Sequence, residues 1–401
     1  MNQKNNYYVT LIAALFACTG FTLGLVGGAY NFSLSRTITA TKSFLLGRTS
    51  QAPLSYDFTA ELNLTDEAIA SIVRPTSAEQ FQNLRKTLIQ HIWNTPYLPY
   101  NEMPREIRSV KDVRWQDMEN LEKIDEVIVE IRYSIESISY HFVPKKRLNK
   151  LLIFHQGHDG DFIINKETIH YYLKKGFDVI AFSMPLMSRN KPKNNWILTP
   201  DFGPIFIPDR LSFGTALHKY IPLLSSSEFN PVQFFFHPVV VTLNYLLDRH
   251  QYEMVAMVGL SGGGWTTAIL PALDTRIRFS FQIAGSLPFY LRSVRPIKDL
   301  GDYEQYSIPL YKIANYLELY LLSSLGKDRI HVQILNGMDP CCFSQSGAKQ
   351  YGRILPQLME EMELPGDFRL YMDNTHSDHI ISQYSRDLMD TIFDTAKTSK
   401  P

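Results

Sequence analysis

The chain has 401 residues, 45% of them hydrophobic, with 24 Phe and 22 Tyr, enough for a large core and one big domain with extensions. Its 40 basic residues balance 40 acidic ones and no Lys/Arg-rich run stands out, which argues against a nucleic-acid partner. Of three cysteines, Cys341 and Cys342 are adjacent; they make no disulfide framework and no zinc-ribbon spacing, and read as two reduced thiols.

From the N-terminus, no charged residue occurs between Lys4 and Arg36, and Tyr8 to Tyr30 is mostly apolar. A bilayer takes roughly 20 helical residues to cross, whereas the apolar part of a cleaved signal peptide is about 7–15 long. Length therefore favours an uncleaved membrane anchor over a secretory signal cut near Gly27 and Ala29, or a lipoprotein box at Leu15–Cys18. Gly20, Gly24 and Gly28 recur every fourth residue on one helix face, a pattern that lets two anchors pack as a homodimer. The charges flanking this stretch do not orient it. Residues 31–125 read as a stalk followed by a helical extension. Within them, Thr76 and Glu79 fit a capping box ahead of Phe81, Leu84, Leu88 and Ile92 at helical spacing, and 105–123 reads as partly helical.

At about residue 126 the period changes. Val127, Val129, Ile131 and Tyr133 alternate with polar residues, then the phase slips to Ile138, Tyr140 and Phe142, predicting two strands joined near Ser134–Ser137. Beyond this, short apolar runs alternate with helical patterns to the end. Strands are expected at 151–154, 177–182, 254–258, 279–283, 330–335 and 368–372, and helices at 163–175, 238–250, 266–273, 311–325, 349–362 and 382–396. That alternation predicts one α/β domain over 126–401 with a mostly parallel central sheet and helices on both faces. Residues 183–237 are irregular and aromatic, with Trp196, Phe202, Phe206, Phe213 and Phe234–Phe236, and read as a cap or lid over a pocket.

The chemistry concentrates in three places. Gly259-Leu-Ser261-Gly-Gly263 follows an apolar strand and precedes a helix; its glycines allow a sharp turn and a close approach to the serine oxygen. A serine hydroxyl is a poor nucleophile without a base, and the base needs a group to hold it. Asp339 follows the strand at 330–335, and His379 and His376 lie between the last strand and last helix; His379, just before that helix, is the expected base and His376 the alternative. Asp373 and Asp378 are weaker substitutes for Asp339. The third place is His155-Gln-Gly-His158, after the strand at 151–154. Its spacing matches no metal motif, so no metal or cofactor is expected.

The order Ser, Asp, His on these strand ends resembles the α/β-hydrolase superfamily, over about residues 126–396. Within it, the hairpin, the His-Gln-Gly-His loop and the Gly-Leu-Ser-Gly-Gly-Gly elbow resemble esterases of the acetyl-xylan-esterase and dienelactone-hydrolase type. The resemblance implies a serine hydrolase that cleaves a carboxylic ester, in a small molecule, glycan or lipid, through an acyl-enzyme. It also implies an oxyanion hole built from Gly262 and from one N–H among Gln156, Gly157 and His158. An acyltransferase with the same triad, or a non-catalytic binding module on this fold, are the alternatives. A neutral His379 is required by the mechanism, so activity should fall at acid pH.

Overall fold

The computed structural model describes residues 64–158, 160–192, 194–208, 214–292, 301–344 and 347–398. The apolar segment at 8–30, with Gly20, Gly24 and Gly28, and the lid residue Phe213 lie outside the described residues. Among the described residues, no helix is long and apolar enough to cross a membrane.

Two helices come first, α1 (Asp66–Ala70) and α2 (Ala78–Trp93). The cap of α2 is one residue later than the sequence suggested: Ser77 Oγ accepts the Gln80 N–H, and Gln80 Oε1 reaches back to the Thr76 N–H. Strand β1 (Glu106–Val110) then pairs antiparallel with β2 (Leu121–Arg132). Of the partial helix expected over 105–123, only the 3-10 turn Val113–Trp115 is present, and Glu106–Val110 is strand instead. As an exposed edge strand, β1 has no core-facing alternation to betray it, and its ladder with β2 alone holds it extended. β2 continues into β3 (Ile135–Pro144) through Tyr133 and Ser134, both at positive φ (57° and 58°), as a tight hairpin turn demands.

Next come β4 (Lys150–His155), α3 (Lys166–Lys174), β5 (Asp178–Phe182) and a small hairpin of β6 (Trp196–Thr199) and β7 (Gly203–Phe206). Helix α4 (Gln233–Arg249), β8 (Met254–Leu260), α5 (Gly262–Leu273) and β9 (Phe279–Ile283) follow. The chain ends with α6 (Tyr316–Ser324), β10 (Ile330–Asn336), α7 (Ala348–Glu361), β11 (Asp367–Asp373) and α8 (Gln383–Thr398). The single helix expected over 311–325 is broken, because Asn315 starts a new one: its side chain accepts the Glu318 N–H while Glu318 accepts the Asn315 N–H.

The sheet has nine strands in the order β1-β2-β3-β5-β4-β8-β9-β10-β11. From β5 to β11 every neighbouring pair is parallel. Alternation along the strands splits the core into two layers. Leu151, Ile153, Val255 and Met257 face α2, α4, α5 and α6 on one side. Leu152, Phe154, Ala256 and Val258 face α3 and α8 on the other. Burying such side chains fully contributes about 1.5–3 kcal/mol each.

Two expected lid features change. Phe234, Phe235 and Phe236 belong to α4, which starts five residues before the predicted helix, and Phe235 and Phe236 pack on the buried Trp265. An apolar helix face and an apolar lid look the same in sequence. Trp196, Phe202 and Phe206 instead lie exposed on the β6–β7 hairpin.

Strand order reverses between β4 and β8, since the chain runs outward from β4 to β5 and then crosses back to β8. The crevice beyond the carboxyl ends of strands at such a switch point is where open α/β sheets bind ligands. His155 ends β4 and Leu260 ends β8, in adjacent registers of this pair.

Two buried histidines tie stability to pH. Burial pushes the His155 imidazole down to about 4 and that of His331 to about 3. His331 is kept neutral, its Nδ1 on Ser280 Oγ and its Nε2 accepting from Gln282. Unfolded histidine titrates near 6.5, so below about pH 6.5 the unfolded chain takes up protons the folded chain refuses. Stability is full above that pH and lost as pH falls toward 4. Urea denaturation should give an unfolding free energy a few kcal/mol lower at pH 4.5 than at pH 7, with each histidine contributing up to about 1.4 kcal/mol per pH unit. A flat or rising profile over that range would be inconsistent with two neutral buried imidazoles.

Candidate active site

Ser261 joins β8 to α5 with φ 57° and ψ −123°, a region that non-glycine residues avoid. Its N–H donates to the Ile283 carbonyl and its own carbonyl accepts from Trp265, so the turn is pinned at both ends. The surrounding glycines are dictated by backbone contact. A Cβ on Gly259 would lie 2.1 Å from the Gly263 carbonyl oxygen, and one on Gly263 would lie 2.0 Å from the His155 carbonyl oxygen. A Cβ on Gly264 would press on the Ile283 carbonyl oxygen at 2.7 Å. The helix thus starts directly against β4 and β9, with no space for side chains.

The loop after β4 meets the serine from the other side. A Cβ on Gly157 would lie 2.6 Å from Ser261 Cβ and 3.3 Å from its Oγ. A Cβ on Gly262 would strike the His158 ring at 2.5 Å and Met184 Cε at 2.6 Å. Of the expected oxyanion donors, Gln156 drops out: its N–H is spent on the Phe182 carbonyl at 2.9 Å. Its side chain also points inward, with Oε1 accepting from Asn165. Gln156 thereby knits β4 to β5 rather than facing the crevice. Gly157 abuts the serine side chain, and Gly262, as the first residue of α5, carries an N–H with no intrahelical acceptor.

Asp339 and His379 come together. His379 Nδ1 lies 2.5 Å from Asp339 Oδ2, while Asp339 Oδ1 accepts the Cys341 N–H at 2.7 Å. Asp339 is almost wholly buried. A carboxylate only accepts, so in the neutral ring the proton is on Nδ1 and the lone pair on Nε2; Nε2 is buried and has no hydrogen-bond partner among the described residues. His376 is engaged elsewhere. Its Nε2 lies 3.2 Å from Asp373 Oδ2, and its Nδ1 accepts the Asp378 N–H. Asp373 also takes the Thr375 N–H and hydroxyl and the Ser382 hydroxyl, and these bonds hold its carboxylate below the usual range against the opposing effect of burial.

The bend that Asp339 caps also holds Cys341 and Cys342. Their sulfurs are bonded to each other, not free as the adjacent pair suggested, and lie beside His379. Sequence adjacency alone does not reveal how far a turn brings two side chains together.

No protein-family model matches this sequence, and no curated protein is recognisably similar to it. Similarity appears in solved structures. The acetyl xylan esterase from Paenibacillus sp. R4 superimposes over 83% of this chain and 99% of its own, with a TM-score of 0.51 at 13% identity. A methylesterase covers 85% of this chain and 69% of its own, with a TM-score of 0.56 at 14% identity. The chain has the α/β-hydrolase fold. On that fold, a serine at a strained strand-to-helix turn can serve as a nucleophile, and a carboxylate-held imidazole can move its proton.

Proposed function

We propose that this α/β-hydrolase chain is a serine hydrolase of carboxylic esters. The observation that carries the reading is the His379 imidazole, fixed by Asp339 through Nδ1 with its buried Nε2 without a hydrogen-bond partner among the described residues. In this reading Nε2 takes the Ser261 proton as Oγ attacks the acyl carbon, and Asp339 stabilises the imidazolium. The N–H groups of Gly157 and Gly262 hold the oxyanion; losing one such donor raises the barrier by about 3 kcal/mol. His379 then protonates the leaving alcohol, and water repeats the cycle on the acyl-serine. The two structural neighbours act on esters, one named for acetylated xylan and the other for methyl esters, which favours a small acyl or alkyl group.

A panel of 4-nitrophenyl esters from acetate to decanoate tests this, with wild type compared to Ser261→Ala. Turnover highest at the shortest acyl groups is expected. No turnover above the variant at any chain length would remove the reading. Gly157→Ala is a sharper probe, because the added methyl meets the Ser261 Cβ and the Leu260 carbonyl oxygen (2.7 Å). Its kcat should fall by about 100-fold or more, and an unchanged kcat would contradict the placement of this loop in the site.

We further propose that residues 8–30 anchor the enzyme in a membrane, on the strength of their length and apolarity. The full chain should stay with membranes through alkaline carbonate washing and be released by detergent; recovery in the wash would reject the anchor. Pairing of two anchors through Gly20, Gly24 and Gly28 predicts a detergent-stable dimer that Gly24→Leu disrupts. A full chain that runs as a monomer in detergent would reject it.

A further inference from the structure

Beside the serine, on the far side of Gly262, four side chains from three segments converge. His158 comes from the loop after β4, and His218 from the 3-10 segment Gly214–Leu224. Asp302 and Glu304 come from the start of the short helix Tyr303–Tyr306. His158 Nε2 lies 3.2 Å from His218 Nδ1, 2.9 Å from Glu304 Oε1 and 3.2 Å from Asp302 Oδ2. His218 Nδ1 lies 2.9 Å from Glu304 Oε2. His218 and Glu304 are fully buried.

Hydrogen bonding among these groups alone requires His218 to carry a second proton. His218 Nε2 lies 3.0 Å from the Pro185 carbonyl oxygen, which only accepts, so Nε2 carries a proton. In a neutral ring Nδ1 is then a bare lone pair, and it points at a carboxylate oxygen and at a second imidazole nitrogen. His158 Nε2 has three acceptor atoms around it and at most one hydrogen to give. One positive charge placed among the four atoms satisfies all of them together. A divalent ion also balances two carboxylates with both imidazoles neutral.

We propose that His158, His218, Asp302 and Glu304 form a binding site for a divalent transition-metal ion, zinc by its ligand set. Zinc takes nitrogen and oxygen ligands tetrahedrally at about 2.0 Å, which puts neighbouring ligand atoms about 3.3 Å apart. The two histidine nitrogens, at 3.2 Å, and His158 Nε2 with Asp302 Oδ2, at 3.2 Å, match that edge, and one ligand atom from each of the four residues lies within 4.8 Å of the others. The Pro185 carbonyl on the far nitrogen of His218 is the outer partner that ligating histidines ordinarily have. Four protein ligands leave no open position, so the ion is structural. It cross-links the 155–158 loop, the 183–224 segment and the 302–306 turn, and it fixes the His158 ring that packs on Gly262. Nothing in this depends on ester hydrolysis.

The test uses the full-length chain stripped with a chelator and then given zinc alone or cobalt(II) alone. One zinc per chain is expected, together with the intense visible absorption of tetrahedral cobalt. At about a hundredfold excess over Kd the melting temperature should rise by about 3–5 °C. His218→Ala should abolish all three signals. Because that variant leaves a hole in the core, Asp302→Asn, nearly isosteric and partly exposed, serves alongside it. Adding zinc should raise its melting temperature by much less than it raises that of the wild type. A hydrogen-bonding role for Asp302 would lower its melting point equally with and without metal. That result, or wild type binding less than a tenth of an equivalent of zinc, would overturn the proposal. So would loss of the zinc in a Cys341→Ser/Cys342→Ser variant when the loading is done under reducing conditions, since the ion would then belong to the reduced cysteines beside His379.

Discussion

Ser261→Ala is expected to lower kcat for a short-chain ester by about 10⁴–10⁶-fold while leaving KM within a few-fold. The fold should survive, because alanine fills the same space and the turn is held by main-chain bonds to Ile283 and Trp265. The backbone there makes a second, opposite expectation. At φ 57° and ψ −123° any side chain is strained, at a cost on the order of 1–3 kcal/mol. Ser261→Gly should therefore be as inactive as the alanine variant yet melt higher than it. A residue retained for packing would show the reverse, since removing its side chain would only cost stability. Residual activity within tenfold of wild type in either variant would mean that another group attacks the ester.

Asp339→Asn carries the second large effect, about 10⁴-fold in kcat. Asp339 accepts two hydrogen bonds, from His379 Nδ1 and from the Cys341 N–H, and an asparagine can accept only one of them. With its oxygen kept on Cys341, its amide group faces Nδ1 and drives the ring proton to Nε2. The imidazole is then the wrong tautomer to take a proton from serine. His379→Ala should be comparably inactive. His376→Ala should keep kcat within about threefold, because its ring is bonded to Asp373 and Asp378. If His376→Ala were instead the inactive one, the base would have to be reassigned, and Asp373 with it. Stopped-flow or steady-state assays on one activated ester suffice for all three variants.

The parts legible in sequence were those where local pattern and global placement agree. The runs ending at His155 and Leu260 are continuous and apolar because parallel strands are buried on both faces, and the run ending at Asn336 is buried beyond its first residue. The positions of Gly157, Ser261 and Asp339 just past their carboxyl ends could therefore be placed without a structure. Strand β1 escaped because an exposed edge strand owes its conformation to its partner and not to its own side chains. Gln156 looked like an oxyanion donor until its N–H proved to be committed to Phe182, a pairing that depends on how far β5 extends. His218 and Glu304 could not have been singled out at all. Each is an isolated polar residue, they are 86 positions apart, and only the tertiary fold brings them to one point.

If Ser261 is a nucleophile made reactive by His379, an active-site-directed phosphonate must react with it and depend on that imidazole. Intact-mass analysis after treatment with a fluorophosphonate, followed by peptide mapping, measures this directly. A single adduct on Ser261 in wild type, absent or slowed by at least about 1,000-fold in His379→Ala, is the expected result. An unlabelled wild-type chain, or labelling of Ser261 at the same rate without His379, would contradict it.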